Sequence, residues 1–475
     1  MLDQIQNSIK PKDIDLISKI EDYVISIDNC FVIIDEAQDF FNGVTNGSYN
    51  YIGLYNLIMD AKNLKGLFLS GSPIINDPFE IAICYNMCAG YFYDKDQRYS
   101  LFGEDYENFT KYYVNDPSVL NPDAPLKDRP VPSIKNENKF MNRIIGLTSY
   151  YGLDKLELQM PELLELRLEK VPMSAPQYAA YVTARERELE ESKNVTRLSR
   201  QALQKPKSSS SSYRVRSRQI GNFLYPEYAS RTYRDDEGVH YEKYLDKLGE
   251  KTFKVNVKNI NSSKILPEDE CGLETWSPKM LKLMINLSHH LPGKMLQYFK
   301  ETNFNTFNFV PSSKDNSKKA IGIGPGIVYS QFMDSGIDII RLILLHYGMR
   351  EITPENISQI ENLRNPETGN FAVISGEVEP EFRDKIISVA TSQNENADLL
   401  AVLLVTSTGA VGINTKYMRH AHCLEPFWNK TREIQFFARA ARLGSHVDLP
   451  EEERNVQPYL YAADYPVFFR SSSEK

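Results

Sequence analysis

The feature of the sequence that most constrains the fold is an alternation of short apolar runs with amphipathic stretches across residues 277–464. Small or polar residues follow each apolar run, and the stretches between the runs have helical spacing. The runs are GIVYSQF, FAVISGE, LLAVLLVTSTGAVGIN, AHCLEP and PYLYAAD. This alternation is typical of a parallel sheet with helices on both faces. The sequence therefore predicts a complete doubly wound α/β domain in residues 271–475.

A shorter version of the same pattern lies near the start of the chain. The run FVII at 31–34 precedes the acids of DEAQ, and LKGLFLSGSP is a second strand that ends in small polar residues. The segment YIGLYNLIMDAKN between them has the spacing of an amphipathic helix. Residues 1–151 are therefore predicted as an α/β domain. The pattern is lost in 152–270, where one long helix and the low-complexity run KPKSSSSSYRVRSRQ predict a connector.

Polar groups at strand ends are the candidates for chemistry, because open α/β sheets place active-site groups at the carboxyl ends of their strands. Asp35 and Glu36 follow FVII, which is predicted to be a buried strand. Asp35 can hold Mg²⁺, and Glu36 can orient the water that attacks a γ-phosphate. Ser70 ends the next predicted strand. In TSTGAVGIN, Gly409 and Gly412 allow a close approach of the backbone to a ligand.

The segment REIQFFARAARLGSH, residues 432–446, is predicted as one helix that ends before Gly444. Asn429 or Thr431 can cap its start. Its predicted apolar face consists of Ile434, Phe437, Ala438 and Ala441. The neighbouring face carries long polar side chains, those of Gln435, Arg439 and Arg442. Two arginines one turn apart favour a phosphate ligand, because the guanidinium fork matches phosphate oxygens.

The motif order DEAQ, SGSP, YSQF, SGE, TSTGAVGIN and QFFARAAR resembles that of superfamily 2 helicases and translocases. More narrowly, LSGSPIINDPFE, VPMSAPQYAAY and HCLEPFWNKTREIQFFARAARLGSHVDLPEEERNVQPYLY resemble the helicases of large cytoplasmic DNA viruses. That group includes the poxvirus small early-transcription-factor subunit and nucleoside triphosphate phosphohydrolase I. The resemblance runs over nearly the whole chain.

The resemblance implies two RecA-like domains with ATP in the cleft between them. The first, residues 1–151, would be incomplete at its N-terminus; a helical and loop-rich insertion, 152–270, would join it to the second, 271–475. The catalytic residues implied are Asp35, Glu36, Gln38, Gln435, Arg439 and Arg442, with Asp35 holding Mg²⁺ indirectly and the two arginines meeting charge on the γ-phosphate. The residues implied in coupling are Ser70, Ser72, Thr408, Gly409 and Gly412.

Two positions depart from the family pattern. Ala438 stands where the family usually has Gly, which is a mild change between small residues. Val411 stands where many relatives have Glu. The second change weakens any nucleic-acid or coupling role at that position.

A motor of this kind also needs a phosphate loop, GxxxxGK followed by Ser or Thr. The sequence has one Gly-Lys pair, Gly293–Lys294, and Met295 follows it. Only 34 residues precede Asp35, and they carry neither the loop nor its strand. Two interpretations remain: a fragment whose N-terminal part lies elsewhere, which the intact motifs favour, and a degenerate relative that does not hydrolyse ATP. ATP and Mg²⁺ are expected cofactors only if the missing segment is supplied.

A basic stretch runs from Lys193 to Arg218, with eight Lys and Arg and no acid. Arg214, Arg216 and Arg218 are the candidate contacts to a nucleic-acid backbone, and such contacts are blind to sequence. The alternative is a solvated connector. The net charge of −8 excludes a surface that is basic throughout, but not a local basic track.

The sequence leaves two functions open. One is an ATP-dependent helicase or translocase in viral transcription, with DNA or RNA, and viral RNA polymerase or transcription factors, as partners. The other is a non-hydrolysing scaffold or transcription-complex subunit. No apolar run approaches the ~18 residues of a membrane span, and no signal segment opens the chain. We therefore expect no membrane partner, no secretion, and a location in the host cytoplasm or the virion.

Overall fold

The structure is a computed structural model in which the chain divides into two compact units, Met1–Tyr151 and Gly152–Lys475. Among the described residues, no helix is both long and apolar enough to cross a bilayer. The described residues are 26–74, 77–95, 97–115, 133–150, 160–202, 214–225, 232–235, 238–241, 273–296, 323–364, 367, 369–407, 409, 413–427 and 430–466.

The first unit contains a two-stranded parallel sheet, β1 (Phe31–Ile34) and β2 (Lys65–Phe68). Two helices, α1 (Ala37–Thr45) and α2 (Tyr49–Asp60), connect the strands; the two strands and α2 were predicted, and α1 was not. The remaining elements of the unit are α3 (Phe79–Ala89), β3 (Phe92–Asp94), β4 (Gln97–Tyr99), α4 (Tyr106–Tyr113), β5 (Val114–Asn115), β6 (Ser133–Ile134) and α5 (Glu137–Ile144). The β3–β4 and β5–β6 pairs are antiparallel.

The core of the first unit is built by helices rather than by its sheet. Its buried side chains include Phe40, Phe41, Ile58, Phe79, Ile83, Phe102, Phe109 and Phe140. In contrast, Phe31 is 61% exposed and Ile33 is 57% exposed. The prediction that FVII is a buried strand is therefore wrong. Among the described residues β1 pairs only with β2, and Phe31 and Ile33 lie on the exposed face of this short sheet.

The second unit is built on an eight-stranded sheet in which every strand pair is parallel. Its strands are β7 (Glu162–Leu163), β8 (Arg167–Pro172), β11 (Gly326–Tyr329), β12 (Arg350–Glu351), β13 (Asn370–Ile374), β14 (Val402–Val405), β15 (His420–Cys423) and β16 (Asn455–Asp464). The order is β12-β13-β14-β11-β15-β16, and both β7 and β8 pair with the outer edge of β16. A separate antiparallel hairpin consists of β9 (Thr232–Asp235) and β10 (Gly238–Tyr241).

Helices lie on both faces of this sheet, as predicted for residues 271–475. The helices of the unit are α6 (Ala175–Ala202), α7 (Val215–Asn222), α8 (Leu273–Trp276), α9 (Pro278–His290), α10 (Asp338–His346), α11 (Pro380–Thr391) and α12 (Lys430–Ala440). Alternate residues of β14 enter two cores: Leu404 packs with α9 and α10, whereas Leu403 packs with α11 and α12. A π-helical turn, Met333–Ile337, precedes α10.

The segment 152–270, predicted as a connector, contributes described elements to the second unit. β8 pairs with β16 from Tyr459 to Asp464, and α7 packs against α6. Ser174 Oγ also donates to the carbonyl of Thr275 at 2.5 Å. The residues 203–213 of the low-complexity run lie outside the described part of the chain.

A chain of buried side-chain hydrogen bonds crosses the centre of the large sheet. His420 Nε2 lies 3.2 Å from the carbonyl oxygen of Gly324, so this nitrogen must donate and Nδ1 must accept. His422 Nε2 therefore donates to His420 Nδ1 at 2.7 Å, and His422 Nδ1 accepts from the Tyr461 hydroxyl at 2.8 Å. Asn286 Nδ2 donates to the same hydroxyl oxygen at 2.9 Å. Every link is satisfied with both imidazoles neutral.

Burial keeps these rings in the neutral form. Burial lowers the pKa of both His420 and His422 well below its ordinary value, because charging them costs solvation, and a neighbouring histidine adds to the effect on each. The ring of His420 lies directly over Gly326, its partner in β11. A Cβ at Gly326 would lie 1.9 Å from the ring of His420. Any residue larger than glycine at position 326 would therefore clash with this histidine.

Candidate functional site

The DEAQ motif lies at the carboxyl end of β1 and leads directly into α1. Glu36 holds the position before the helix in the left-handed region, with φ 50°. Its backbone N–H donates to Asp35 Oδ1 at 2.9 Å. Asp35 is exposed, and its Oδ2 makes no hydrogen bond with any described residue. That oxygen is free to face a hydrated cation.

The candidate magnesium site has a single carboxylate donor from the protein. No group of three or more His, Cys, Asp or Glu within the described ranges is arranged to hold a metal. Mg²⁺ commonly takes one or two carboxylates and completes its shell with water and substrate phosphates. The donor set at Asp35 fits that pattern, and the ion would supply Lewis-acid stabilisation of phosphate charge when bound with a nucleotide.

A hydrogen-bond relay joins DEAQ to SGSP. Gln38, which is 2% exposed, donates through Nε2 to Glu36 Oε2 at 2.6 Å. Its Oε1 accepts from Ser70 Oγ at 2.5 Å, and Ser70 Oγ in turn accepts from the backbone N–H of Ser72 at 3.1 Å. Backbone bonds between Ala37 and Leu69 align the two strand ends. DEAQ and SGSP therefore lie at adjacent strand ends, as predicted, and are linked through one buried glutamine.

In the second unit the TSTGAVGIN segment follows β14. The backbone N–H of Gly409 lies 3.2 Å from Thr406 Oγ1. A Cβ on Gly409 would lie 2.0 Å from the carbonyl oxygen of Ile374, the last residue of β13. This glycine thus permits a close approach of two strand ends within the sheet. Thr408, Val411 and Gly412 lie outside the described residues.

The arginine-rich segment differs from the prediction in length. Helix α12 ends at Ala440, and Gly444 lies four residues further on with φ 74°. Arg442 is therefore not on the helix; it lies in the following turn, where its carbonyl accepts from the N–H and hydroxyl of Ser445. Gln435 and Arg439 do lie one turn apart on α12 and are partly exposed. Of the proposed caps, Asn429 lies outside the described residues and Thr431 is inside the helix.

The buried face of α12 also differs from the predicted one. Ile434 is 64% exposed and Ala438 is exposed, so these two residues do not pack against the sheet. Among its described side chains the buried ones are Glu433, Phe436, Phe437 and Ala440, and Ala441 just after the helix is buried too. The ring of Phe436 packs on Tyr329 of β11 with centroids 5.2 Å apart, and this aromatic contact sets the rotation of the helix.

The three candidate nucleic-acid contacts have different environments. Arg214 precedes α7 with φ 52°, and Arg216 and Arg218 lie within the helix. Arg218 donates to Gln331 Oε1 at 2.7 Å, and its guanidinium carbon lies 5.3 Å from the centroid of the Phe332 ring. Arg218 is thus built into the fold next to the YSQF motif, at the end of β11.

Sequence reasoning missed a buried lysine and a buried glutamate beside this arginine, Lys279 and Glu425. Lys279 is 4% exposed and donates to the carbonyl of Leu424 at 3.0 Å. Burial lowers the pKa of Lys279 to about 8, against the opposing effect of Glu425. Glu425 is 2% exposed, and its oxygens accept from Ser330 Oγ at 2.6 Å and from the backbone N–H of Gln331 at 2.8 Å. The sequence signals were a lysine inside SPKM at a helix start and a glutamate just after the strand in AHCLEP.

Comparison with known proteins finds viral helicases and a helicase domain family. Residues 327–444, from β11 to the turn after α12, match the family described as the helicase conserved C-terminal domain. The termination factor NPH-I homolog of African swine fever virus is 32% identical over 478 residues, covering 92% of this chain and 56% of the relative. A putative ATP-dependent RNA helicase of Acanthamoeba polyphaga mimivirus is 25% identical, covering 91% of this chain and 54% of the relative.

Among solved structures, the Sulfolobus solfataricus SWI2/SNF2 ATPase core in complex with dsDNA matches at 14% identity and a TM-score of 0.27, over 91% of this chain and 63% of that one. This likeness is too distant to locate any residue. The chain spans about half the length of the curated viral relatives that it matches over most of its own length.

Proposed function

Since this chain is a relative of the superfamily 2 helicases of large DNA viruses, we propose that it carries most of the ATP-coupling and strand-binding residues of a nucleic-acid translocase that works in viral transcription. The observation that carries the proposal is the buried Gln38 relay, which joins the Glu36 carboxylate of DEAQ to the hydroxyl of Ser70. An acid that was only a solvated surface residue would not need a buried amide, that of Gln38, to connect it to Ser70 at the end of the neighbouring strand.

In the first unit, Asp35 holds Mg²⁺ and Glu36 orients the attacking water. The relay fixes the side chain of Glu36, since its Oε2 accepts the Gln38 amide. A change at Ser70 would therefore be transmitted to Glu36 through two hydrogen bonds. This is a physical route by which SGSP can couple strand movement to hydrolysis.

In the second unit, Gln435, Arg439 and Arg442 act on the nucleotide, with the guanidinium groups stabilising charge on the γ-phosphate. Arg442 lies in the turn after α12, where its carbonyl accepts hydrogen bonds from Ser445. Thr408, Gly409 and Gly412 belong to the same proposed coupling segment. Arg214, Arg216 and Arg218 contribute to the binding of DNA or RNA.

A second candidate, a scaffold that binds nucleic acid without hydrolysing ATP, is favoured by one feature of the sequence. The 475 residues contain no GxxxxGK followed by Ser or Thr. Positioning of the phosphates supplies most of the catalysis in phosphoryl transfer. We therefore expect no measurable turnover from these 475 residues alone.

The two candidates are separated by a phosphate-release assay on two proteins, with and without DNA and RNA. One protein is this chain alone, and the other is this chain fused to the part of the African swine fever virus relative that it does not match. The translocase predicts no turnover in the first and strand-stimulated turnover in the second. In the fusion, Glu36→Gln should abolish turnover and Arg442→Ala should slow it roughly 10³-fold or more.

The matched control is Glu107→Gln, which removes an exposed acid from the first turn of a helix in the same unit and should leave turnover unchanged. A fusion that melts cooperatively but hydrolyses no ATP would support the scaffold instead. Turnover by the chain alone that is lost in Glu36→Gln would show that another segment replaces the phosphate loop.

A further inference from the structure

A pocket of about 310 Å³ lies at the carboxyl edge of the large sheet, within the second unit. Its walls come from residues just after β11 and β15, from the end of β16, and from the helices α6, α7, α9 and α12. The residues that matter for its chemistry are Arg214, Arg218, Lys279, Gln331, Glu425 and Arg432. Segments more than 200 residues apart in the sequence therefore meet around one space.

The pocket is strongly cationic in a protein of net charge −8. Its lining holds four basic side chains and one acid, Glu425. That acid is already occupied, because both of its oxygens accept hydrogen bonds, from Ser330, Gln331 and Asn222. Glu425 thus holds the strand ends in place, and it neutralises only part of the positive charge.

Lys279 is the residue that most strongly indicates a ligand, because its buried ammonium makes a single hydrogen bond with the described residues. An ammonium has three N–H donors, and the carbonyl of Leu424 takes one of them. No other described residue accepts a hydrogen bond from Lys279, although its side chain is 4% exposed. Buried donors without acceptors are costly, so an occupant that brings acceptor oxygens would stabilise this site.

Two arginines complete the anion-binding set. Arg432, in the first turn of α12, makes no hydrogen bond or ion pair within the described part of the chain. Arg218 is held by Gln331 and by the face of Phe332, so its guanidinium is preorganised. A preorganised guanidinium beside a buried ammonium suits a compact oxyanion with several acceptor oxygens, which is the chemistry of a phosphate group.

We propose that this pocket binds one phosphate group of a nucleic-acid strand through Lys279, Arg218 and Arg432. The inference rests on the proposed function for the identity of the strand. Arg214 and Arg218 belong to the basic stretch predicted to contact nucleic acid, and both line the pocket, whereas Arg216 does not. The structure thereby separates residues that the sequence had treated alike.

Proton linkage follows from the surroundings of Lys279. The titratable groups that face it are Glu425 and Cys423 around β15 and Arg218 on α7, with Arg214, Arg432 and Tyr181 elsewhere in the pocket lining. Burial lowers the pKa of Lys279 to about 8, so in the absence of ligand it loses its charge as the pH rises through that value. A bound phosphate restores the charge, and strand affinity should therefore fall about tenfold between pH 7 and pH 9.

The test is fluorescence anisotropy with labelled oligo(dA) and the matching RNA, at several salt concentrations and from pH 7 to pH 9, on the full chain. Lys279→Met should bind weakly at every pH, and Lys279→Arg should bind without the loss above pH 8. Arg432→Gln should weaken binding and reduce the log–log salt slope by about 0.7, because one phosphate is no longer neutralised. Arg350→Gln is the matched control: it removes an exposed arginine of β12 that does not line the pocket, and it should change the affinity little.

The outcomes separate this inference from the proposed function. If the wild-type chain binds strands but Lys279→Met and Arg432→Gln bind equally well, the pocket is not a strand site and the proposed function stands. If wild type, Lys279→Met and Lys279→Arg share one pH profile, the proton linkage is wrong. If inorganic phosphate raises the melting temperature of wild type but not of Lys279→Met, and no strand binds, the pocket takes free phosphate and both proposals fall.

Discussion

The two parallel sheets of this chain obey the same hydrogen-bonding rules and differ in almost everything else. β11, β14 and β15 are buried along their whole length, with residues of alternate parity entering two separate cores. β1 and β2 have no fully buried residue. Parallel sheets are normally covered on both faces, and the second sheet follows that rule, whereas Phe31 and Ile33 of β1 are exposed.

The comparison shows two ways of holding a functional strand end. In the second unit, packing on both faces fixes the strands, and a glycine lets neighbouring ends approach. In the first unit, the ends of β1 and β2 are fixed by hydrogen bonds, above all by the buried Gln38. Mutations should therefore act through packing in one sheet and through polar contacts in the other.

The units can be observed separately because both tryptophans, Trp276 and Trp428, and all seven histidines lie after residue 151. Tryptophan fluorescence reports on the second unit alone. Circular dichroism reports on both, so a difference between the two signals isolates the first unit.

Acid should produce the largest contrast. Burial lowers the pKa of His420 and His422 well below the ordinary value and lowers that of His446 to about 4. The unfolded chain therefore binds more protons below about pH 6.5, and the free energy of unfolding of the second unit falls as the pH falls. Each histidine contributes up to about 1.4 kcal/mol per pH unit.

The measurement is urea unfolding from pH 7 to pH 5.5, followed by tryptophan fluorescence. The first unit has no histidine and should change little over this range. Equal pH slopes for the two units would contradict the assignment of the effect to the buried histidines.

Truncation of one buried side chain in a central strand should have the second-largest effect on the free energy of unfolding. Leu404→Ala removes a fully buried side chain of β14 and should lower the free energy of unfolding of the second unit by about 2–5 kcal/mol. The midpoint of the tryptophan transition in urea measures the loss. A change below about 1 kcal/mol would mean that this core collapses around the cavity.

Loss of the relay should have an intermediate effect, confined to the first unit. Gln38→Ala leaves Ser70 Oγ without its acceptor and Glu36 without its donor, and should cost about 1–3 kcal/mol. The shift should appear in circular dichroism and not in tryptophan fluorescence. Asn42→Ala, at a partly exposed position of the same helix outside the relay, is the control and should cost less.

The smallest effect is expected in β1 itself. Ile33 is 57% exposed, so Ile33→Ala should change the free energy of unfolding by less than about 0.5 kcal/mol. Circular dichroism in urea measures it against Leu404→Ala. A cost as large as that of Leu404→Ala would show that the exposed face of the first sheet is covered in solution.

The sequence predicted correctly those features that depend on the spacing of apolar residues and on the small or polar residues that end a strand. The runs at 326–329 and 402–405 became strands, and DEAQ and SGSP came together because consecutive parallel strands end at the same edge. The burial of FVII was predicted wrongly because apolar composition does not reveal how many strands and helices pack on it. The number of elements that pack on a strand depends on the tertiary structure, and the local sequence does not contain it.

The remaining errors arise from tertiary contacts. Ala441 and Leu443 are good helix formers, so the end of α12 at Ala440 has no local signal. The rotation of α12 follows from the contact between Phe436 and Tyr329, more than 100 residues away. The basic pocket combines residues from 181 to 463, and no window of sequence contains it.

The hydrogen-bond chain through His420 and His422 has a direction, from the Asn286 amide to the carbonyl of Gly324. Reversing one link would force the others to reverse, and the final carbonyl cannot donate. Replacement of either histidine alone leaves its neighbour with an unmatched donor or acceptor in a dry interior. Among homologous chains we therefore expect the two positions to vary together. Both should be histidine, or both should be apolar.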